Sequence, residues 1–247
     1  MFNPLVVSVG MPRAGSGWYY NLIHDLIVAS GGENARSIRK RFFLEPILTE
    51  INNNIGAFTT KRIIPVMIPA WLGYTYVVKA HAGPTPLVLF FIKSGKIIAS
   101  YIYRDPRDAL LSAFEYGRRK RKSGRTGAFS DLKTIEDAIL FMDSYLRIAD
   151  SWLAIEKVLH TRYESLLQNY EHEVERLLQY FDLDSDQNNY DEVIERYNPN
   201  KGSNEQVGTH FVQGKIGRYK EFLNERQKQM CIERFGTFLG KMGYPVP

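Results

Sequence analysis

Apolar residues occur along the chain in short β-branched runs separated by longer stretches with helical spacing. The short runs predict strands at residues 5–10, 74–81 and 96–104, and a weaker one at 158–164. These runs are apolar at nearly every position, which is typical of strands buried on both faces. Strands of this kind, each followed by a helix, predict a parallel sheet with right-handed crossovers.

Helical spacing of apolar residues predicts the helices between these strands. One helix covers 18–29, and a second begins at Thr134, where Thr134 and Asp137 resemble a capping box. The apolar face of this second helix consists of Ile135, Ile139, Met142, Leu146, Ala149 and Leu153. A last helix is predicted at about 218–242. Its candidate core residues are Phe222, Met230, Phe235, Phe238 and Leu239.

These elements predict an α/β fold that is P-loop-like, with three layers and a central, mostly parallel sheet flanked by helices. Residues 1–247 are expected to form a single domain, because no Pro- or Ser-rich linker divides the chain. Two polar segments are predicted to be loops, Asn198–Gly217 and the basic stretch around 118–127. We expect the basic stretch to be a solvated loop, or to steer an anionic ligand towards a site.

Composition and charge change this picture only modestly. The formal net charge is +5 and the sequence pI is about 9.1, which suits an anionic ligand without identifying one. Cys231 is the single cysteine, so an intramolecular disulfide is excluded and a reducing compartment is expected. No export signal and no apolar run long enough for a membrane span is visible, so we predict a cytoplasmic protein with no membrane anchor. The basic stretch lacks interleaved aromatic residues, so no nucleic-acid partner is predicted.

The first strand leads directly into a glycine-rich turn and a helix, in the stretch VVSVGMPRAGSGWYYNLI at 6–23. Such a turn directs backbone N–H groups into one concavity at the positive end of the helix, which suits a phosphate group. Ser16 adds a hydroxyl donor and Arg13 a permanent positive charge. A glycine-rich turn without a ligand is the alternative. The lysine of an ATP-binding loop is absent, which argues against a nucleoside triphosphate with magnesium.

A second segment of interest follows the strand at 96–104, where Arg104 ends the strand and Pro106 suits the start of a helix. Ser112 lies about two helical turns further on, roughly 10–12 Å along a helix axis. The two side chains can therefore bind one anion only if the chain folds back at this turn. Without that fold, Arg104 is expected to pair with Asp105 or Asp108.

Five segments taken together resemble the sulfotransferases that use 3′-phosphoadenosine 5′-phosphosulfate (PAPS), in particular the cytosolic type. In chain order they are PRAGSGW at 12–18, KAH at 79–81, YIYRDPRDALLS at 101–112, RYESL at 162–166 and GKIGRYK at 214–220. The resemblance covers nearly the whole chain. It implies a nucleotide-binding transferase that requires no metal.

The resemblance also implies roles for individual residues. The loop that begins at Arg13 would wrap the 5′-phosphosulfate, Trp18 would stack on the adenine, and Tyr163 would lie at the adenine edge. Arg104 and Ser112 would bind the 3′-phosphate. The donor-binding residues it implies are Arg13, Ala14, Gly15, Ser16, Gly17, Trp18, Arg104, Ser112, Tyr163, Gln213, Gly214 and Lys215.

The resemblance further implies that His81, in the triplet Lys79-Ala80-His81, takes the proton of the acceptor hydroxyl. Alternate residues of a strand share a side, so Lys79 and His81 are expected to face one site if the strand continues through both. A base of this kind titrates around pH 6 to 7 when unperturbed. The implied catalytic residues are therefore His81, Lys79 and Arg13.

This chain departs from the family pattern at two places. Many members have lysine where Arg13 stands, and many have Arg-Lys-Gly where this chain has Val212, Gln213 and Gly214. The second departure predicts weaker binding of the 3′-phosphate, and Lys215 is a candidate to supply the missing positive charge. Arg13 is expected to act by electrostatics alone, because its guanidinium does not give up a proton at neutral pH.

The acceptor is predicted to be a small molecule with a hydrophobic body and a hydroxyl or amine group. Phe58, Ile68, Trp71 and Tyr74 are the candidates for the wall of its pocket. Two other functions stay open at this point: a P-loop-type kinase for small molecules or nucleotides, and a non-catalytic protein that binds phosphorylated nucleotides. The sequence does not indicate the oligomeric state.

Overall fold

A computed structural model describes residues 3–183, 190–201 and 215–246, and four strands in these residues form one parallel sheet. The strands are β1 (Leu5–Gly10), β2 (Val77–Ala80), β3 (Ile97–Tyr103) and β4 (Leu159–Arg162). Their order in the sheet is β2-β1-β3-β4. Every adjacent pair is parallel, which confirms the predicted sheet.

Helices cover both faces of this sheet, as predicted for a three-layer α/β fold. They are α1 (Ser16–Ala29), α2 (Ala35–Arg41), α3 (Thr60–Trp71), α4 (Pro86–Lys93), α5 (Pro106–Lys122), α6 (Ile135–Leu153), α7 (Tyr163–Gln168), α8 (Tyr170–Tyr180), α9 (Asp191–Tyr197), α10 (Tyr219–Phe222) and α11 (Glu225–Lys241). Alternate residues of β1 pack into two hydrophobic clusters, one on each face of the sheet. Leu5 and Val7 pack with residues of α3, α5, α6 and α11, whereas Val6 packs with residues of α1, α8 and α9.

Helix α6 begins where its capping signal predicts. The Thr134 hydroxyl accepts a hydrogen bond from the Asp137 amide, and the Asp137 carboxylate accepts from the Thr134 amide. Four residues of its predicted apolar face are buried, and two at the ends are partly buried: Ile139, Met142, Leu146 and Ala149 in the first group, Ile135 and Leu153 in the second. The capping box and the apolar stripe thus specify this helix locally.

The predicted helix at 218–242 is wrong in one respect, because it consists of two helices. Leu223 is extended, and Asn224 caps α11 through reciprocal hydrogen bonds with Gln227. An N-cap needs a non-helical backbone, so α10 ends before it. Phe222, predicted to be buried, is 57% exposed, whereas Phe235 is buried in the core as predicted.

The basic stretch is also partly helical rather than a loop. Residues 118–122 form the last turns of α5, and only 123–127 lie beyond the helix. Asp105 caps the N-terminus of α5 and Pro106 occupies its first turn, and both stabilise the start of the helix. Lysine and arginine then suit its C-terminal end, where the helix dipole favours positive charge.

None of the helices in residues 3–183, 190–201 and 215–246 has the length and apolarity to cross a membrane.

Candidate active site

The turn between β1 and α1 contains two glycines, Gly10 and Gly15, at which any side chain would displace neighbouring atoms. A Cβ on Gly10 would lie 2.7 Å from Cγ2 of Ile102 and 2.7 Å from Cβ of Ser16. Gly15 has φ of 76°, and a Cβ there would lie 2.7 Å from Cδ2 of Tyr163. The turn therefore sits directly against β3 and the start of α7.

The start of α1 presents backbone donors at this turn. The first hydrogen bond of the helix runs from the Tyr19 amide to the Gly15 carbonyl, over 3.0 Å. The amides of Ser16 and Gly17 precede that bond and so have no acceptor within the helix. Together with the helix dipole they form the positive concavity that the sequence predicts. Ala14 lies beneath the turn: it is fully buried and its amide donates to the Met11 carbonyl.

Arg13 connects this turn to α5. Its backbone has φ of 65°, in the left-handed region that is unusual for a residue with a side chain. Its Nε donates a hydrogen bond of 3.1 Å to Oγ of Ser112, and its guanidinium lies 4.8 Å from the centre of the Tyr116 ring. Burial, with smaller contributions from Arg119 and Arg104, lowers the pKa of Arg13 to about 10. The group is still cationic at neutral pH, in a place where positive charge is crowded.

Arg104 lies at the end of β3 and holds several groups of the site together. Its NH1 and NH2 groups donate to the carbonyls of Arg13 and Lys215, over 3.5 and 3.0 Å, and NH2 lies 3.6 Å from Asp108. Its guanidinium stacks on the ring of Tyr163, 4.4 Å from the ring centre. The Nε atom is buried and has no hydrogen-bond partner among the described residues.

Asp108 and Asp105 have separate structural roles. The pairing of Arg104 with Asp108 that the sequence left open is present, but the carboxylate of Asp108 also accepts from the amides of Gly217 and Tyr219. Asp105 instead pairs with Arg107, over 2.7 Å. Arg104 and Ser112 line the same cavity, and Arg13 bridges them, since its carbonyl accepts from Arg104 and its Nε donates to Ser112.

Lys79 lies in β2, and His81 is the first residue after the strand, which ends at Ala80. Both side chains line the same cavity, as predicted, although the strand does not continue through His81. Lys79 is 6% exposed, and burial together with the charge of Arg13 lowers its pKa to about 8. No carboxylate of the described residues lies within ion-pair distance of Lys79. The buried ammonium thus lacks the counter-ion that a buried charge ordinarily has.

The imidazole of His81 is oriented by the neighbouring strand. Its Nδ1 lies 2.6 Å from the carbonyl oxygen of Gly10, and a carbonyl can only accept, so Nδ1 carries the proton and Nε2 is an acceptor. Burial, followed by the charges of Lys79 and Arg13, lowers the pKa of His81 to about 4. The ring is therefore neutral at pH 7, and Nε2 can accept a proton.

The cavity that these residues line has a volume of about 500 Å³. Among the described lining residues, six are cationic and one is a carboxylate. The cations are Arg13, Lys79, Arg104, Arg119, Lys215 and Arg218, and the carboxylate is Glu115. This imbalance, in a partly buried space, favours a ligand with several negative charges.

Trp18 and Tyr163 form the other side of the turn. Both line the cavity, but Trp18 is only 5% exposed. Its indole N–H donates to the carbonyl of Tyr197 over 2.9 Å, and its ring is stacked with Tyr170 at 6.1 Å between centres. The predicted contact of Trp18 with an adenine stays a prediction. Gln213 and Gly214, also predicted to bind the donor, lie outside the described residues.

An aromatic wall, formed by Tyr116, Phe129, Phe141 and Tyr145, lines the cavity beside Arg13. Two contacts are edge to face, Tyr116 with Phe129 at 6.0 Å and Phe129 with Phe141 at 5.4 Å, and the third is tilted, Phe141 with Tyr145 at 4.9 Å. Phe129 has φ of 69°, and its carbonyl lies directly against Gly117 of α5. The wall is thus built from α5, α6 and the loop between them.

The pocket wall predicted from residues 52–76 is wrong. Phe58 is buried against Trp152, and Trp71 packs on Phe91 of α4, so these rings belong to the core rather than to the cavity. Of that stretch, Asn52 and Asn54 line the cavity. The two remaining candidates, Ile68 and Tyr74, do not.

Sequence reasoning missed the aromatic wall and three charged residues, Glu115, Arg119 and Arg218. A signal for part of this set was present on α5. Starting from Ser112, residues three, four and seven positions later share its helix face, and these are Glu115, Tyr116 and Arg119. The contribution of Phe141 and Tyr145 had no such signal, because it depends on how α6 packs.

Residues 72–242 match the family model described as the sulfotransferase domain. Solved structures that share the fold include the following three. Retinol dehydratase in complex with androsterone and the inactive cofactor PAP has a TM-score of 0.59 at 14% identity, covering 98% of this chain and 82% of that one. Mouse sulfotransferase SULT7A1 complexed with PAP has a TM-score of 0.59 at 13% identity, covering 98% of this chain and 89% of that one. Retinol dehydratase with retinol and PAP has a TM-score of 0.58 at 15% identity, covering 100% and 84%. No curated protein sequence matches this one.

Proposed function

Because the chain belongs to the sulfotransferase family, we propose that it transfers the sulfuryl group of PAPS to a hydroxyl or amine of a small acceptor with a hydrophobic body. The observation that carries this proposal is one cavity in which crowded cations and helix-start amides meet an oriented, neutral imidazole beside an aromatic wall. The cations suit the donor, and the imidazole and the wall suit the acceptor.

The donor end of the cavity offers the groups that a bisphosphorylated nucleotide needs. The amides of Ser16 and Gly17 and the side chain of Arg13 would bind the 5′-phosphosulfate. Arg104 and Ser112 would bind the 3′-phosphate. The buried Nε of Arg104, without a partner among the described residues, supports this assignment because such a donor is costly to leave unpaired.

The transfer step breaks the bond between sulfur and the bridging phosphate oxygen and forms a bond between sulfur and the acceptor oxygen. Negative charge develops on the bridging oxygen as that bond breaks. Arg13 and Lys79 are cationic at neutral pH and would stabilise this charge in a partly buried site, where electrostatic interactions are strong.

His81 would remove the proton that the acceptor hydroxyl must lose. Its Nδ1 is occupied by the Gly10 carbonyl, so Nε2 is the atom that would accept this proton. The resulting imidazolium stands near Lys79 and Arg13, which disfavour it in the empty site. The negative charge of the bound donor would offset that disfavour.

The acceptor would lie against the aromatic wall. Helix α6 carries Phe141 and Tyr145 along the cavity. Near its C-terminal end, Trp152 donates a hydrogen bond to the carbonyl of Ala82, the residue after His81. A flat or extended apolar body placed on these rings would direct its hydroxyl towards His81. Aromatic surfaces of this size contribute strongly to the binding of apolar ligands.

Incubation of the protein with PAPS and a panel of phenols, aliphatic alcohols, amines and sugars tests the proposal. The sulfated product is identified by mass, in buffer with a metal chelator. We expect a sulfated product with at least one acceptor of hydrophobic body and no loss of turnover with the chelator, because protein cations supply the positive field. Turnover with ATP in place of PAPS, strictly dependent on magnesium, would instead indicate a kinase.

A further inference from the structure

An ion pair lies inside the donor end of the cavity, although the donor itself is anionic. Glu115 lies three residues after Ser112 on α5, about one helical turn from the hydroxyl assigned to the 3′-phosphate. It is the one carboxylate among the described residues that line the cavity. An unneutralised carboxylate at that distance would repel the 3′-phosphate.

Arg218 neutralises this carboxylate. Its two terminal nitrogens donate to the two oxygens of Glu115, over 2.5 and 3.1 Å, and both side chains are partly buried. Arg218 itself is held in register, because the flanking amides of Gly217 and Tyr219 both donate to Asp108. A bidentate pair of this kind fixes the geometry of both partners.

The segment around Arg218 is also attached to the residue assigned to the 3′-phosphate. Arg104 donates to the carbonyl of Lys215, three residues before Arg218. The contacts of Arg104, Asp108 and Glu115 therefore align residues 215–219 along the first turns of α5. Arg218 reaches the cavity from this aligned segment.

We propose that Arg218 is a positioning residue of the donor site, which neutralises Glu115 so that the donor's 3′-phosphate can occupy the space beside Ser112. This inference rests on the proposed function. It assigns to Arg218 an effect exerted through Glu115 rather than through direct contact with the nucleotide. Removing the charge of Arg218 exposes a carboxylate to the 3′-phosphate, and removing both charges abolishes that repulsion.

A double-mutant cycle on the binding of adenosine 3′,5′-bisphosphate tests the inference. The variants are Arg218→Gln, Glu115→Gln and the double variant, measured by calorimetry on the full chain. We expect Arg218→Gln to weaken binding by about three- to tenfold, as one uncovered charge at this distance does in a partly solvated site. We expect Glu115→Gln, which leaves the charge of Arg218 uncovered, to bind at least as tightly as the parent, and the double variant, which lacks both charges, to match the parent within about twofold.

Arg119→Gln is the matched control, because Arg119 lies on the same face of α5 and lines the cavity but makes no ion pair with Glu115 in this structure. Any loss it causes should persist when Glu115→Gln is added. Adenosine 5′-phosphate, which lacks the 3′-phosphate, should bind the parent and Arg218→Gln about equally. High salt should reduce the loss caused by Arg218→Gln.

Three results would overturn the inference while leaving the proposed function intact. Weak binding by the double variant would show that Arg218 acts by bracing residues 215–219. Loss of affinity in Glu115→Gln would show that the pair is a structural clamp. An equal loss for both nucleotides would separate Arg218 from the 3′-phosphate. A parent protein that fails to bind the bisphosphate would instead contradict the proposed function, and with it this inference.

Discussion

The Nδ1 atom of His81 donates a hydrogen bond to the main-chain carbonyl of Gly10, so the end of β2 is tied to the end of β1 at the mouth of the cavity. The bond leaves Nε2 as the acceptor that a base requires. His81→Asn retains an amide donor near the position of Nδ1 and removes the base. We expect it to lose turnover by about a hundred- to ten-thousandfold, the usual contribution of positioned proton transfer.

Steady-state kinetics and calorimetry measure the two sides of this prediction. His81→Asn should bind adenosine 3′,5′-bisphosphate nearly as well as the parent. His160→Gln is the matched control, since His160 lies on β4 and does not line the cavity. It should leave turnover unchanged. Near-parental turnover in His81→Asn would remove the base assignment.

The low pKa of His81 also predicts how stability changes with pH. The unfolded chain binds a proton at His81 below about pH 6.5, whereas the folded protein does so only near pH 4. Stability therefore falls as the pH drops between these values. From pH 7 to pH 5, parent protein should lose about 1–2 kcal/mol of unfolding free energy relative to His81→Asn. Denaturant unfolding at both pH values measures this, and a constant difference would contradict the depressed pKa.

Lys79 predicts a pH dependence on the alkaline side. Its pKa is lowered to about 8, so the ammonium is cationic below that pH and neutral above it. Affinity for adenosine 3′,5′-bisphosphate should fall as the pH rises through 8. Lys79→Arg should hold its affinity to higher pH, and Lys79→Met should bind weakly with no such fall. Calorimetry at several pH values measures this affinity. The same dependence of affinity on pH in the parent and in Lys79→Met would exclude Lys79 from the donor site.

Two helical glycines provide a matched test of the aromatic wall. A Cβ on Gly117 would lie 2.0 Å from the Phe129 carbonyl oxygen, whereas Gly236 in α11 has open space around that position. Gly117→Ala should lower the unfolding free energy by about 1–3 kcal/mol, the usual cost of overpacking. Gly236→Ala should raise it by about 0.5–1 kcal/mol, because alanine suits a helix better. Denaturant unfolding measures both.

The acceptor kinetics of these variants complete that test. Gly117→Ala should raise the KM for an apolar acceptor, because Phe129 is displaced from the wall. The affinity for the nucleotide should change little. Unchanged stability and acceptor KM in Gly117→Ala would show that the contact with Phe129 does not hold the wall in place.

Local signals in the sequence predicted the elements that carry the donor site, and the start of helix α6 as well. The capping box at Thr134, the β-branched strands and the glycine-rich turn each act over a few residues, so their outcome depends little on the rest of the fold. Lys79 and His81 were also predicted to face one site, and both line the cavity, although β2 ends at Ala80 and His81 lies just beyond it. These predictions were confirmed in position, although the roles of the residues stay proposals.

The acceptor side could not be predicted in the same way. Phe129, Phe141 and Tyr145 meet only because the loop after α5 packs on Gly117 and α6 crosses the cavity. That arrangement depends on tertiary packing, which no local pattern reports. Hydrophobic residues of the segment 52–76 looked equally suitable, but Phe58, Trp71 and Tyr74 pack in or against the core, and Ile68 is exposed outside the cavity. The break at Asn224 was visible in principle, since Asn224 and Gln227 have the spacing of a capping box.

The comparison of two nucleotides by calorimetry tests the central claim, a donor site for PAPS, most directly. We predict that adenosine 3′,5′-bisphosphate binds the parent protein much more tightly than adenosine 5′-phosphate, because Arg104 and Ser112 are assigned to the 3′-phosphate. Arg104→Gln should weaken the bisphosphate by about ten- to a hundredfold, as loss of a charge-assisted contact does, and should leave the monophosphate nearly unchanged. Equal affinity of the parent for the two nucleotides, or equal losses in Arg104→Gln, would contradict the account.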